Sequence, residues 1–377
     1  MAVRLFSDVS SRVADPYLAR AVVLASRARG AAWPNPLVGC VIVADGRVVG
    51  EGYHPRAGDP HAEVFALAAA GEAARGADAY VTLEPCSHYG RTPPCADALI
   101  AAGVARVVIG MRDPTSEAAG GAQRLAEAGI RVEFAADETP FVELNAGWLK
   151  RVATGMPYVT AKVAASLDAR VALEPGMRAA ITGSAGSEVT RSLRSAADAV
   201  LVSAATVIAD DPALTVRDAL GHNAQRQPLR VVLVRTSVPH ADARVFTDGV
   251  APTMVLASDA ADGPALDALP AGVPVMRWPA GGGLHAALSA LGTHGVGHLL
   301  VEPGPRLLTA LWAEAVLDEL VCVTAGGMGG TASPPLYAGG PDRAGEALIH
   351  RMAPVEAGIV GDVSVTVWSP VAALGEA

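Results

Sequence analysis

Two α/β domains joined end to end are what this sequence predicts, on three observations. The chain has 377 residues, too long for one ordinary domain and comfortable for two. Helix and strand signals alternate through both halves, the pattern of sheets covered by helices. Between the halves, Arg151-Val152-Ala153-Thr154-Gly155-Met156-Pro157 carries the glycine and proline of a boundary. We therefore expect one domain over residues 1–150 and a second over 151–377.

In the first half, Asp15-Pro16 pairs a capping residue with proline at the first helical position, a helix start. The apolar stretch 38–44 reads as a buried strand. Asp45-Gly46 then makes a hairpin turn into a second strand, 47–53. His61 to Ala70 reads as a helix closed by Gly71, and Tyr80 to Leu83 as a strand. Pro94 to Ala102 reads as a helix ended by Gly103, Val104–Gly110 and Ile130–Phe134 as strands, and 138–150 as a closing helix. In the second half, strands are expected near 158–164, 198–203, 229–234, 253–257, 297–301, 319–324 and 363–368, with helices between. Segment 257–285, rich in Ala, Gly, Pro and Asp, reads as loops around one short strand.

Composition excludes several classes. Apolar residues make up 51% of the chain but aromatics only 4%, so the positive mean hydropathy reflects alanine and not a membrane protein. No uninterrupted apolar stretch reaches spanning length. Arg4, Asp8, Arg12 and Asp15 break up the N-terminus where a signal peptide needs an apolar core. A cytoplasmic protein with no membrane partner is expected. The net charge of −9 argues against a nucleic-acid partner, because phosphate contacts need basic surface. A small phosphorylated substrate, held by a few local arginines, is still compatible.

The four cysteines divide into two kinds. Cys40 and Cys322 lie in apolar runs and read as small buried hydrophobes. Cys86 and Cys95 lie in a polar, proline-rich loop. With His61 they offer zinc one imidazole and two thiolates, leaving a fourth position for water. Glu63, two residues from His61, sits where it can stay outside the coordination shell and carry a proton from that water to a leaving amine. Zinc nucleobase deaminases show His-x-Glu followed by Pro-Cys-x-x-Cys. Here eight residues, Ser87 to Pro94, separate the two cysteines. A purely structural zinc would need a fourth protein ligand. His88 is the candidate, but its place in the insertion suits a substrate contact better. A nucleic-acid-editing deaminase would show basic surface and closely spaced cysteines. A regulatory module would have no need of Glu63.

The runs Pro34-Asn35-Pro36-Leu37-Val38-Gly39-Cys40, Gly50-Glu51-Gly52-Tyr53-His54 and Pro60-His61-Ala62-Glu63-Val64, and above all Thr82 through Cys95, resemble the RibD family of bifunctional riboflavin biosynthesis proteins. The resemblance implies a cytidine-deaminase-like three-layer α/β/α domain carrying one Zn²⁺. That domain would deaminate 2,5-diamino-6-ribosylamino-4(3H)-pyrimidinone 5′-phosphate, with Asn35, His54, His88 and Arg91 lining the pocket. An amide suits pyrimidine edges, imidazoles suit ring or ribose contacts, and a guanidinium suits phosphate.

The resemblance continues through Lys162–Asp168, Leu193-Arg194-Ser195, Thr206–Arg217 and Val301–Leu308. It implies a dihydrofolate-reductase-like second domain that uses NADPH to reduce the ribosyl group of the deaminated product. Lys162 and Glu302 would flank the ribose being reduced. Arg194, Leu214, Arg217 and Glu302 would hold the substrate. Ala164, Thr206, Asp210, Thr236 and Gly304-Pro305-Arg306-Leu307 would hold the cofactor, whose phosphates suit a helix N-terminus after a glycine turn. The family also implies a homo-oligomer, a dimer or tetramer.

The chain departs from the family in three places. Arg178-Ala179-Ala180 stands where a small polar residue and an aromatic are usual. Arg235 follows the strand where an acid is usual, at a position able to meet a 2′-phosphate. Ala325-Gly326-Gly327-Met328-Gly329-Gly330 replaces a Pro-Lys pair. The alternative these departures raise is a monofunctional deaminase with a degenerate, structural reductase domain.

Overall fold

The computed structural model describes residues 9–89, 93–116, 118–172, 181–218, 220–331, 333–337 and 352–370. These residues form two compact units that change over between Ala153 and Thr154.

The first unit contains α1 (Pro16–Ser26), β1 (Gly39–Ala44), β2 (Arg47–Tyr53), α2 (Ala62–Ala70), β3 (Asp78–Val81) and α3 (Cys95–Ala102). It continues with β4 (Arg106–Ile109), α4 (Gly121–Glu127), β5 (Arg131–Phe134), α5 (Thr139–Leu144) and α6 (Ala146–Thr154). The Asp15 carboxylate caps α1, accepting from the amides of Tyr17 and Leu18. At the hairpin tip Asp45 and Gly46 both take positive φ, 49° and 72°, as the predicted tight turn requires. The sheet order is β2-β1-β3-β4-β5, with β3, β4 and β5 parallel and β1 antiparallel to both neighbours.

Alternate residues of β1 face opposite cores. Cys40 and Ile42 pack with α2, α3 and α4, whereas Val41 and Val43 pack with α1, α5 and Trp148 of α6. The result is three layers, helix on sheet on helix. The third strand lies two residues earlier than its apolar run suggests, because Ala79 and Tyr80 pair with Ile42 and Val41. The helix expected over 138–150 is two helices broken at Asn145. Helix α4 has no counterpart in the sequence reading.

The second unit contains β6 (Tyr158–Ser166), α7 (Gly183–Ala196), β7 (Ala199–Ser203), α8 (Ala204–Asp210), β8 (Leu229–Val234), α9 (Arg244–Thr247), β9 (Thr253–Ser258) and α10 (Gly263–Asp267). Then follow β10 (Val275–Trp278), α11 (Gly283–His294), β11 (His298–Val301), α12 (Pro305–Ala313), β12 (Glu319–Ala325), β13 (Met352–Val360) and β14 (Val363–Pro370). The sheet order is β10-β9-β8-β7-β11-β6-β12-β14-β13. The run from β10 to β12 is parallel and the last two strands are antiparallel.

Separate apolar cores cover the two faces, one against α7 and α8 and one against α11 and α12. Such a sheet reverses its winding where β11 returns between β7 and β6, and ligands of parallel α/β sheets settle at the carboxyl ends of strands at such points. Cys322 is only half-buried, unlike Cys40, which is fully enclosed. No helix among the described residues is long and apolar enough to cross a membrane.

Candidate active sites

Helix α2 begins immediately after His61, whose extended backbone occupies the N-cap. This places His61 at the end of the helix and Glu63 in its first turn, pointing into the layer beneath. The helix lies so close to β2 that a Cβ on Gly52 would stand 2.3 Å from the Ala62 carbonyl oxygen, and one on Gly50 2.2 Å from that of Ala66. Glycine is therefore required for the helix to sit at this depth. Gly52→Ala is expected to push α2 outward, at a cost of roughly 1–3 kcal/mol, and to lower zinc occupancy. Thermal unfolding and zinc per chain check this; an unchanged midpoint with full zinc would refute it.

His61, Cys86 and Cys95 converge, with ligand atoms all within 4.8 Å of one another. His61 Nδ1 lies 3.2 Å from Cys95 Sγ and 3.6 Å from Cys86 Sγ. Zinc–sulfur and zinc–nitrogen bonds of about 2.3 and 2.0 Å put the ligand atoms of a tetrahedral site roughly 3.5 Å apart, so this donor set fits that ion. The Cys95 amide, at the start of α3, donates to Cys86 Sγ at 3.3 Å, which favours the thiolate. The Cys86 thiol is pushed down to about 4, foremost by its hydrogen bond with Cys95, against burial and with help from His61. The same pairing, with burial, raises Cys95. One proton is thus shared between two sulfurs, and a metal that displaces it meets two thiolates. His88 is exposed and outside the cluster, so a fourth protein ligand is absent among the described residues.

Glu63 is buried, and desolvation raises its carboxyl above the usual range, although the His61 charge pulls the other way. Beside the cluster, His54 Nδ1 faces the Pro60 carbonyl at 3.1 Å and His54 Nε2 faces Asn35 Nδ2 at 2.9 Å. Burial, the largest influence on His54, lowers its pKa and favours the neutral ring. The carbonyl fixes the proton on Nδ1, so Nε2 accepts from the Asn35 amide. Asn35 and His54 are therefore brought together, while Arg91 lies outside the described residues.

Glu84 is a site residue to which the sequence assigned no role. Buried at the end of the β3 segment, its carboxylate accepts from the amides of Asp113, Gly120 and Ala122 at 3.0–3.3 Å. It ties the loop before α4 to Pro85-Cys86. Only its place in the motif signals it, since its partners lie 29–38 residues away.

In the second unit a cleft of about 1120 Å³ is lined by Lys162, Ala164, Arg194, Asp210, Leu214, Arg217 and Glu302 of the expected residues. Lys162 and Ala164 come from β6, Glu302 from the end of β11, Asp210 from the end of α8. Arg194 forms a two-pronged pair with Glu302, Nε to Oε1 at 2.6 Å and Nη2 to Oε2 at 2.8 Å, and also donates to the Thr215 carbonyl. Burial pushes the Glu302 carboxyl up, but Arg194 and then Lys162 outweigh it and hold the group below its ordinary value. Burial lowers Lys162, with Glu302 opposing.

Thr206 and Gly304 adjoin each other outside this lining, a Cβ on Gly304 falling 3.9 Å from Thr206 Oγ1. Gly304 caps α12, with Pro305 at the first position. Arg306 is exposed, whereas the Leu307 side chain is in the core and has only its backbone to offer a ligand. Thr236 and Arg235 are exposed beyond β8. Positions 178–180 lie outside the described residues. The glycine-rich departure is held in place by Asp168, whose carboxylate accepts from the Gly329 and Gly330 amides at 2.8 Å.

Arg244 is also in the cleft wall, and nothing local in the sequence marks it. Its backbone amide donates to the Asp211 carboxylate at 2.8 Å, and the Asp248 carboxylate four residues on is engaged by the fully buried Arg230 at 2.8 Å.

A three-ligand zinc centre with an adjacent buried carboxylate, in a three-layer unit, followed by a parallel-sheet unit with a charged cleft, defines a zinc-dependent deaminase joined to a reductase. Comparison with known proteins narrows the class. Residues 12–111 match the cytidine and deoxycytidylate deaminase zinc-binding region, and residues 157–358 match the RibD C-terminal domain. The chain is 46% identical over 319 residues to the riboflavin biosynthesis protein RibD of Escherichia coli K12, covering 81% of this chain and 85% of that one. It is 41% identical over 306 residues to that of Aquifex aeolicus, with the same coverage. The fold superposes on Acinetobacter baumannii RibD with a TM-score of 0.84 at 38% identity, over 95% of this chain and 98% of the other. A diaminohydroxyphosphoribosylaminopyrimidine deaminase/5-amino-6-(5-phosphoribosylamino)uracil reductase from Thermotoga maritima matches with a TM-score of 0.82 at 30% identity, over 94% and 98%. The chain belongs to the RibD family.

Proposed function

We propose that the first unit hydrolytically deaminates 2,5-diamino-6-ribosylamino-4(3H)-pyrimidinone 5′-phosphate. The second unit then reduces the ribosyl group of 5-amino-6-(5-phosphoribosylamino)uracil to ribityl with NADPH, the next step of riboflavin biosynthesis. The observation that carries the reading is the convergence of His61, Cys86 and Cys95 beside buried Glu63. Zinc, when bound, supplies the Lewis acid that makes water acidic enough to attack near neutral pH. Asn35 and His54 orient the pyrimidine edge. Glu63 takes a proton from the attacking water and returns it to the departing amine, so that ammonia leaves as the ring oxo group forms.

In the second unit Lys162 and Glu302 face the ribosyl group and Arg194 holds Glu302 in place. Ala164, Thr206, Asp210, Thr236 and the Gly304–Leu307 turn bind the cofactor. Retention of Lys162, Arg194, Asp210, Arg217 and Glu302 in one cleft supports an active reductase over a degenerate one. Leu214 lines the substrate side with buried side chain and left-handed backbone, φ 52°.

Arg217 and Arg244 form no ion pair with a described carboxylate, and they are the cations we assign to the substrate phosphate. Arg217→Ala and Arg244→Ala are each expected to raise KM about tenfold for the phosphorylated substrate and far less for its dephosphorylated form. Equal effects on both forms would refute the assignment. We place the protein in the cytoplasm as a homo-oligomer, dimer or tetramer; a monomer by light scattering would overturn the latter.

The decisive experiment supplies the diaminopyrimidinone ribosyl phosphate with and without NADPH and follows ammonia and NADPH together. Ammonia followed by NADPH consumption supports both activities. Ammonia with flat NADPH, even when deaminated product is added directly, leaves a deaminase alone. No ammonia from zinc-loaded protein overturns the substrate assignment.

A further inference from the structure

The loop that delivers Asn35 has few backbone hydrogen bonds to hold it. Pro34 and Pro36 lack amide protons, and the Asn35 amide is spent on the Ala32 carbonyl at 3.0 Å. The next peptide group available is that of Leu37. Its N–H donates to Asn145 Oδ1 at 2.7 Å, and its C=O accepts from Asn145 Nδ2 at 3.1 Å. One residue on, the Val38 carbonyl accepts from the His54 amide at 3.0 Å. The loop is therefore clamped between His54 on one side and Asn145 on the other.

Asn145 is itself rigidly mounted. It is 2% exposed, at the break between α5 and α6, and Phe141, Leu144 and Trp148 around it are packed into the core. An asparagine amide offers a donor and an acceptor side by side, as a neighbouring β-strand does. Leucine of similar size offers neither, and ionised aspartate offers only acceptors.

We infer that Asn145 is a positioning residue of the deaminase: by pairing with both polar groups of Leu37 it sets the height of the loop, so that Asn35 meets His54 Nε2 and the pyrimidine edge. This rests on the proposed deaminase reading. A small displacement of a positioning group weakens binding of the ring while leaving the metal cluster and Glu63, which are mounted on other elements, undisturbed.

The test uses full-length Asn145→Leu and Asn145→Asp, with zinc content, deaminase kinetics, NADPH oxidation by the second unit, and the ¹⁵N resonance of His54 Nε2. Asn145→Leu is expected to raise deaminase KM about tenfold, to keep kcat and one zinc per chain, to leave NADPH oxidation unchanged, and to shift the His54 Nε2 signal as its Asn35 bond weakens. Asn145→Asp carries the test if the leucine variant does not fold. Its protonated carboxyl can still donate to the Leu37 carbonyl, so its KM relative to wild type should rise with pH as it ionises. A KM unchanged in the variants, a loss of zinc, or a fall in kcat at constant KM overturns the inference in favour of a merely structural residue. An unshifted His54 signal overturns it without reference to substrate. Absence of ammonia from the wild-type protein counts against the substrate reading alone.

Discussion

Glu63→Gln is expected to bind zinc as the wild type does and to release ammonia about 10²–10⁴-fold more slowly, the range that a positioned proton carrier supplies. The carboxyl is 3% exposed, and burial raises its pKa against the pull of His61. A raised carboxyl is better matched to shuttling a proton near neutrality than one of ordinary acidity. Glutamine keeps the shape and the burial but cannot accept the water proton. It also removes a carboxylate that is costly to bury, so the variant should be no less stable than wild type. A lost activity with full zinc and an unchanged unfolding midpoint therefore isolates proton transfer from folding and metal binding. Ammonia release within tenfold of wild type would mean that another group carries the proton, and the mechanism proposed for Glu63 would fall. NADPH oxidation on added deaminated product provides the control, because Glu63 belongs to the other unit.

Local chemistry was readable in the sequence, and long-range pairing was not. Asp15, the Asp45-Gly46 turn, and Gly71 and Gly103 at helix ends each act within a few residues, so their elements fall where expected. The zinc ligands were legible because a donor set leaves a residue-type signature even when Cys95 is 34 residues from His61. The edge strand β13 carries Pro354, Glu356 and Gly358, lacks a clean apolar alternation, and is bulged at Pro354/Glu356. Only its pairing with β14 makes it a strand. The Asn145 side chain pairs with Leu37 and the Glu302 carboxylate with Arg194, each pair separated by 108 residues. No window along the chain contains such a pair. Arg194 is one of the residues that the family resemblance places at the substrate. In the fold three of its donors go to Glu302 and Thr215, while Arg217 and Arg244, also in the cleft wall, pair with no described carboxylate.

Glu302→Gln should have the largest effect in the second unit, because one carboxylate there faces two cations. Arg194 donates two short bonds to it, and Lys162 also holds its pKa down against burial. Without that charge, Lys162 loses the attraction that opposes its desolvation and keeps the repulsion from Arg194, so its pKa, already lowered, falls further. Reductase turnover is expected to drop roughly 10²-fold or more, as when a charged group at the reacting atoms is removed. The alkaline limb of its pH profile should move to lower pH as Lys162 gives up its proton earlier. An unmoved limb would show that Lys162 does not act in its charged form.

Stability follows with a definite sign. The folded pKa of Glu302 lies below its unfolded value, so its contribution is present above the ordinary glutamate range and is lost as pH falls through the folded pKa. The variant should therefore be destabilised at neutral pH, by roughly 3 kcal/mol on the scale of breaking a buried pair, and should approach wild type in acid. A constant gap from neutral to acidic pH would mean that the loss comes from packing and not from charge. Deaminase activity measured on the same samples should stay at the wild-type rate, because no residue of the zinc cluster belongs to the unit that carries Glu302.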